Sequence, residues 1–262
     1  MALARTLTFY GRYGYFQLKE RFSDVGQAVT YIVFYPLLIL VLTAMWNRFN
    51  AYLGNYTRAE ISAYIAIEEL LFLTFLRSAF LQRSQADFSM GLARPRSWLG
   101  LTFAGQFGAT LGSRLIYLLC AIPALLLMGV PASLMGESLG RLVLFLPLLG
   151  IMESLMASIL ASAQLLWQET RYLVLPITKI FLALGGVFCP LADYGEPGRS
   201  IFLQSPASDL FFQVGHFCLK GEFYQLSVPH WLFRVLVWML IFYGCNRMVF
   251  HYARKRHQSW GG

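Results

Sequence analysis

The sequence predicts an all-α polytopic membrane protein. It has six transmembrane helices, an N-terminal amphipathic interface helix and a re-entrant helical segment before the last span. Six long apolar stretches carry few charges, and they lack the period-2 alternation of membrane β-strands. Hydrophobic residues make up 57% of the chain and charged residues 13%, against about 25% charged in a typical soluble domain. With 262 residues and a mean hydropathy of +0.56, we expect residues 1–262 to form one membrane domain.

The first predicted element is the interface helix, over residues 1–24. At 100° per residue its basic side chains fall on one face and its apolar side chains on the opposite face. Such a helix lies in the membrane interface with its apolar face toward the acyl chains. A solvated basic arm is the alternative interpretation. The basic face holds Arg5, Arg12 and Lys19, and the apolar face holds Leu3, Leu7, Tyr10, Gly14 and Leu18.

The six predicted spans follow within residues 25–251. A hydrocarbon core about 30 Å thick is crossed by about 20 residues of helix. The third apolar stretch is nearly twice that length. We therefore predict an interfacial or cytoplasmic approach, then a crossing that ends near Met128 with Pro123 inside the helix. The apolar stretches are residues 26–46, 61–81, 98–136, 142–168, 172–192 and 232–250.

Two small-residue faces occur inside these stretches. Residues 108–112 read Gly-Ala-Thr-Leu-Gly, and residues 157–161 read Ala-Ser-Ile-Leu-Ala. Small residues four positions apart let helices approach closely in lipid. Each face is therefore a predicted contact surface for a neighbouring helix.

The segment before the last span, residues 200–223, is too charged for a crossing and too apolar for a free loop. It contains Phe211 and Phe212 but also Asp209 and Lys220. Backbone that enters a membrane without crossing it must be buried by protein or line a cavity. We predict a pair of short helices that dip into the outer leaflet. A packed periplasmic loop is the alternative.

The distribution of basic residues predicts how the chain is oriented in the membrane. Lys and Arg precede the first span, lie between the second and third spans, and follow the sixth span in a basic tail over residues 252–262. Positive charge marks the cytoplasmic side of a membrane protein, so both termini are predicted to be cytoplasmic. This topology accounts for most of the net charge of +8, and we expect no nucleic-acid partner.

Motifs of nucleotide-phosphate and metal chemistry are missing. The sequence has no GxxxxGK[ST] or HExxH pattern and no paired metal-ligand spacing. Gly136-Glu-Ser-Leu-Gly140 matches GxSxG in letters only, because no predicted β-strand precedes it as a nucleophile elbow requires. We therefore expect a chain that is not an enzyme and holds no cofactor or metal. The N-terminal residues also lack a signal-peptide pattern. Cys189 and Cys218 could form a disulfide on the outer side, and buried free thiols are the alternative.

Ionisable residues inside the spans are the candidate functional residues. A charge near the bilayer centre is costly and usually faces protein or water. One interpretation is a polar path for a charged substrate. The other is pairing between helices, for example of Glu153 with Lys179 or Arg114, while Lys179 and Arg114 could also snorkel toward the cytoplasmic side. The residues are Glu68, Glu69, Arg77, Arg114, Glu153 and Lys179.

Short sequence patterns spread over almost the whole chain occur in the same order, and at the same positions relative to the spans, as in a known family of membrane proteins. They are Leu18-Lys-Glu-Arg-Phe22 and Tyr35-Pro36, Ala93-Arg-Pro-Arg96, Glu169-Thr-Arg171 with Val174-Leu-Pro-Ile-Thr-Lys179, Phe188-Cys-Pro-Leu191, and Ser205-Pro206. Together they resemble the permease subunits of type-2 ABC exporters, and among these the capsular polysaccharide export permeases. Ser205 stands where that family has an asparagine. Residues 26–31 replace its usual Leu-Gly-x-x-Trp run.

The resemblance implies a multi-pass protein of the bacterial inner membrane that forms a homodimer with two separate ABC ATPase subunits. Those subunits would use ATP and Mg to move a lipid-linked acidic polysaccharide outward. Periplasmic co-polymerase and outer-membrane export proteins would then carry it onward. The implied substrate path contains Arg114, Glu153, Lys179, Glu68, Glu69, Phe211 and Phe212. The implied ATPase-coupling and entry residues are Arg83, Arg94, Arg96, Arg12, Lys19 and Arg21.

Two alternative functions remain open from the sequence. The first is an ABC exporter of small amphipathic drugs or lipids. The second, from a different class, is a membrane-embedded lipid-modifying enzyme. That enzyme would need a clustered set of polar catalytic residues in the loops, and the sequence does not contain one.

Overall fold

The computed structural model describes residues 2–23, 25–49, 56–76, 97–167, 171–187 and 190–258. This part of the chain is almost entirely helical and contains no β-strand, only one isolated bridge between Phe223 and Leu226. Its α-helices are α1 (Ala2–Ser23), α2 (Val25–Phe49), α3 (Arg58–Thr74), α4 (Trp98–Leu127), α5 (Ala132–Ala163), α6 (Arg171–Leu184), α7 (Gly198–Leu203), α8 (Pro206–Leu210), α9 (Phe212–Lys220) and α10 (Val228–Gln258).

Three of the described helices are long and apolar enough to cross a membrane. They are α4, α5 and most of α10. The last of these buries little of its surface within the protein and exposes a row of apolar side chains, as a lipid-facing helix does. The chain therefore has the character of an α-helical membrane protein. The other three predicted spans fall on α2, α3 and α6, and their crossing of a membrane stays a prediction.

The helix α4 lies at the centre of the bundle, where it contacts α1, α2, α3 and α5. It begins at Trp98 because the side chain of Ser97 accepts a hydrogen bond from the amide of Gly100, as a helix N-cap does. It ends at Leu127 with Met128 as its C-cap, so the predicted end near Met128 is confirmed. Pro123 lies inside the helix as predicted.

The helix α1 lies along the first half of α4. Gly14 faces Gly108, and a Cβ atom on Gly108 would overlap the carbonyl oxygen of Gly14. One turn further along, a Cβ atom on Gly112 would lie 3.0 Å from the carbonyl oxygen of Leu18. The small-residue face over residues 108–112 is therefore the contact surface for α1. Gly14 is buried in this contact, and Tyr10 and Leu18 of the predicted apolar face are half-buried.

One end of the bundle gathers both terminal helices. The Tyr10 hydroxyl lies 3.5 Å from the carbonyl oxygen of Ser97, and the Trp98 ring stacks on Phe250 with centroids 5.4 Å apart. At the same end, Arg256 donates a hydrogen bond to the carbonyl of Leu166 just after α5. The beginning of α4, the first half of α1 and the basic end of α10 thus lie together. The side of a membrane on which the two termini lie stays a prediction.

The opposite end carries the segment before the last long helix. Here the structure corrects the sequence prediction: three short helices, α7 to α9, replace the expected pair, and the first begins at Gly198. The break between α7 and α8 has a local cause, because Ser205 accepts a hydrogen bond from the amide of Ser208 and Pro206 occupies the first turn of α8. Gly221, at φ +79°, ends α9 in the left-handed conformation.

These short helices are held firmly against the bundle. The amide of Phe212 donates a hydrogen bond of 3.1 Å to the carbonyl of Gly185, just beyond α6. Arg141 of α5 donates to the carbonyls of Cys218 and Leu219, which lie in the last turn of α9, where the helix provides no amide partner. The segment is therefore packed between the long helices. Its depth in a membrane stays a prediction.

Candidate functional site

The centre of the bundle contains a buried ion pair between two long helices. A guanidinium nitrogen of Arg114 in α4 lies 2.5 Å from a carboxylate oxygen of Glu153 in α5, and the two side chains are 2% and 0% exposed. The Arg114 Nε atom also donates to the hydroxyl of Thr74 at the end of α3. The pair joins three helices of the bundle.

The other carboxylate oxygen of Glu153 is bound by the backbone beyond α3. The amide of Leu76 donates to it over 2.8 Å. Leu76 has φ +52°, a left-handed conformation that leucine rarely adopts, and it is fully buried. The hydrogen bond from Leu76 to the buried Glu153 carboxylate thus helps to hold an energetically unfavourable backbone conformation at the end of α3. Arg114 keeps one buried nitrogen, Nη1, with no hydrogen-bond partner in the described part of the chain.

The structure decides between the partners proposed for Glu153. Its partner is Arg114, whereas Lys179 is exposed on α6 and forms no ion pair within the described residues. The expectation that Arg114 snorkels toward the cytoplasmic side is wrong, because the side chain is buried and bonded to Glu153 and Thr74. An arginine whose charge is neutralised inside the protein has no need of interfacial water. A contact of either residue with substrate stays a prediction.

A second candidate carboxyl, Glu68 of α3, lies beside α9, one of the three short helices (α7 to α9) that form the predicted outer segment. It is 0% exposed, and neither of its oxygens has a hydrogen-bond partner among the residues that the structure describes. Its carboxyl packs against Gly215 of α9, where an added Cβ atom would overlap Glu68 Oε1. The neighbouring Glu69 is also buried, at 4% exposure. A buried, unbonded carboxyl is costly, so Glu68 is a stronger candidate for a functional role than a residue in a satisfied pair.

The candidate aromatic residues of the outer segment are buried in this structure. Phe211 packs edge-on against Phe75 with ring centroids 5.3 Å apart, and Phe75 immediately precedes Leu76. Phe212 packs against Tyr224. A continuous chain of contacts therefore runs from the Arg114–Glu153 pair through the end of α3 to the start of α9. The place of both phenylalanines in a substrate path stays a prediction.

Sequence reasoning missed a second ion pair, between the outer segment and the last long helix. The Asp209 carboxylate, fully buried, lies 3.1 Å from the Arg234 guanidinium. Arg234 also bonds the carbonyl of Leu203 at the end of α7. The available signal was Arg234 itself, a charged residue near the start of an apolar stretch. A charge at such a place indicates a protein partner.

The candidate coupling and entry residues divide into two groups. Arg12 and Lys19 are exposed on α1, and Arg21 is half-buried with its Cβ 3.2 Å from the position that a Cβ on Gly112 would take. Arg83, Arg94 and Arg96 lie outside the described residues, as do Arg77 and Cys189. Within the described residues, no group of three or more metal-ligating side chains could hold an ion.

No protein-family model matches the sequence, and no curated protein matches it. The likeness to type-2 ABC exporter permeases therefore remains a prediction from the residues.

Proposed function

We propose that this chain is the transmembrane subunit of an ATP-driven ABC exporter in the bacterial inner membrane. It crosses the membrane six times with both termini cytoplasmic and works as a homodimer with two separate ATPase subunits. Its cargo is a lipid-linked acidic polysaccharide of the capsular type. Lys179, exposed on α6, and the charges of the α1 helix provide cationic groups for such a polymer.

The observation that carries the proposal is the lengthwise contact between α1 and α4. An exporter driven by a separate ATPase needs a stiff connection between the cytoplasmic surface and the spans. The Gly14–Gly108 approach leaves no room for a side chain, so a displacement of α1 must move α4 with it. The exposed Arg12 and Lys19 lie on this same helix, where an ATPase subunit could contact them.

The buried contacts provide a way to transmit that displacement outward. The α4 helix holds Arg114, which binds Glu153 and Thr74, and the end of α3 next to Thr74 packs against Phe211. A shift of α4 therefore changes the support of the outer short helices. A packed core switches between discrete arrangements rather than deforming continuously. This property suits a gate with two states.

Deletion of the gene tests the substrate assignment. The proposal expects a cell without surface polysaccharide that accumulates the lipid-linked polymer inside, and restoration of both by the wild-type chain. A Lys179→Ala chain should restore less export at equal protein level, because the polymer loses a cation on its path. A deletion strain with a normal capsule would reject the polysaccharide proposal. A deletion strain that became sensitive to amphipathic drugs would favour the alternative exporter.

A further inference from the structure

An apolar groove lies on the outside of the bundle, away from the buried charges of the candidate functional site. It is a groove of about 310 Å³ between the end of α1, the first half of α2 and the second half of α4. The lining side chains are all uncharged, and those at its lip are well exposed, with Ile32 at 59% and Leu119 at 61%. Phe22, Pro36, Ile116, Cys120 and Pro123 complete the lining. Such a surface excludes polar ligands and accepts hydrocarbon.

The groove does not lead into the bundle. On the inner side of the same two helices, Tyr31 and Tyr35 pack against Tyr117 with ring centroids 4.6 and 4.9 Å apart. These tyrosines close the space behind the groove. Pro36 and Pro123 explain why the outer side stays open, because a proline inside a helix removes a backbone hydrogen bond and prevents straight, continuous packing.

The dimensions fit one hydrocarbon chain of one leaflet. At 1.5 Å per residue, α4 rises about 16 Å from Gly112, where Arg21 lies, to Pro123 at the far end of the groove. Half of a hydrocarbon core of about 30 Å is about 15 Å. A chain that enters beside α1 would therefore end near Pro123.

The entrance carries positive charge. Lys19 lies one helical turn before Phe22, so the two side chains are neighbours on α1, and both are exposed. Arg21 contacts the groove end of α4 at Gly112. Among the described residues of this turn the acidic side chain is Glu20, at a position that faces a different direction from Lys19, and Asp24 follows outside the described residues. The exposed Lys19 is therefore the cation offered to an anionic head group.

We propose that this groove binds an anionic phospholipid, with its phosphate at Lys19 and one acyl chain between α2 and α4. The bound lipid fills the space that the two prolines leave and fixes the junction between α1 and α2. The site is independent of the exported substrate, and it lies on the opposite side of α2 and α4 from the candidate path.

Photo-crosslinking in nanodiscs tests the site. The full chain is placed in nanodiscs of phosphatidylcholine that contain a trace of phosphatidylglycerol or phosphatidylcholine with a photoreactive group on one acyl chain. The expected result is preferential labelling by phosphatidylglycerol of peptides around Ile32 and Leu119. Leu119→Trp should abolish this labelling by filling the groove. Leu240→Trp, at a lipid-facing position of α10 that is 69% exposed, should leave it unchanged.

Lys19→Ala tests the head-group contact. It should lower the preference for phosphatidylglycerol roughly fivefold, the effect of one cation at an anionic membrane surface. The matched Lys255→Ala change, on an exposed lysine at the end of α10, should not lower it. Equal labelling by the two lipids, or labelling unaffected by Leu119→Trp, would overturn the proposal. So would a crosslink between Leu119→Cys residues of two copies, since a second copy would then cover the groove.

Discussion

Arg114 and Glu153 form an ion pair of 2.5 Å in which neither side chain is more than 2% exposed. The two residues are 39 positions apart and belong to different long helices. The pair also binds the hydroxyl of Thr74 and the amide of Leu76. It therefore ties α4 and α5 to the point where α3 ends, and its removal should affect all three helices.

Replacement of Arg114 by methionine should lower the free energy of unfolding by about 3–5 kcal/mol, because it leaves Glu153 as an unpaired buried charge. The double change Arg114→Met with Glu153→Leu should recover most of that loss, since both charges are then gone. Thermal unfolding in detergent, followed by tryptophan fluorescence, measures both effects. A single variant as stable as the wild type would contradict the observed pairing.

Gly108→Ala should separate α1 from α4, because the new Cβ atom overlaps the backbone of Gly14. Hydrogen–deuterium exchange over residues 8–23 should then rise. Gly140→Ala is the matched control, also in the middle of a long helix but with no atom within 4 Å of the new Cβ. That control should be neutral or slightly stabilising. Similar exchange in the two variants would rule out the close α1–α4 contact.

Gly215→Ala should destabilise the packing of α9 on α3, since its Cβ atom collides with the Glu68 carboxyl. Glu68→Ala should relieve most of this effect in the double variant, because the carboxyl makes no hydrogen bond among the described residues that would be lost. Thermal unfolding of both single variants and the double variant gives the coupling free energy between positions 68 and 215. Additive effects would show that the two positions are not in contact.

Glu196, an exposed residue just before α7, should titrate below the usual range of a glutamate. Hydrogen bonds from Ser200 and then from Arg199 stabilise its charged form and lower its pKa. A lowered pKa in the folded state stabilises this connection above the ordinary glutamate pKa. That contribution is lost as the pH falls through the lowered value. A carboxyl NMR titration checks it: Ser200→Ala should raise the pKa, and an ordinary value in the wild type would contradict the hydrogen bonds.

The sequence predicted the features that depend on local pattern. Periodicity and composition indicated the helical membrane character, and the excess length of the third apolar stretch indicated that its helix ends near Met128. The small-residue spacing at Gly108 predicted a close helix contact, although not that α1 makes it. Each of these features follows from the spacing of neighbouring residues along one helix.

The features that escaped prediction depend on residues far apart in the chain. Lys179 and Arg114 were equivalent partners for Glu153 in the sequence, and only the packing of α4 on α5 selects Arg114. The Asp209–Arg234 pair needs α8 to fold back onto α10. The additional short helix, α7, begins at Gly198, two residues before the predicted range 200–223.

The most direct test of the proposed function is to measure which subunits co-purify with the chain and whether the purified assembly hydrolyses ATP. The full chain is affinity-purified from its native membranes, and ATP hydrolysis is measured in the eluate for the wild type, Gly108→Ala and Gly140→Ala. The account predicts a separate ATPase subunit that co-purifies in equal number with the chain. It also predicts hydrolysis that is impaired by Gly108→Ala and unchanged by Gly140→Ala. Hydrolysis by the chain alone, or recovery of the intact chain without any ATPase subunit, would contradict the account.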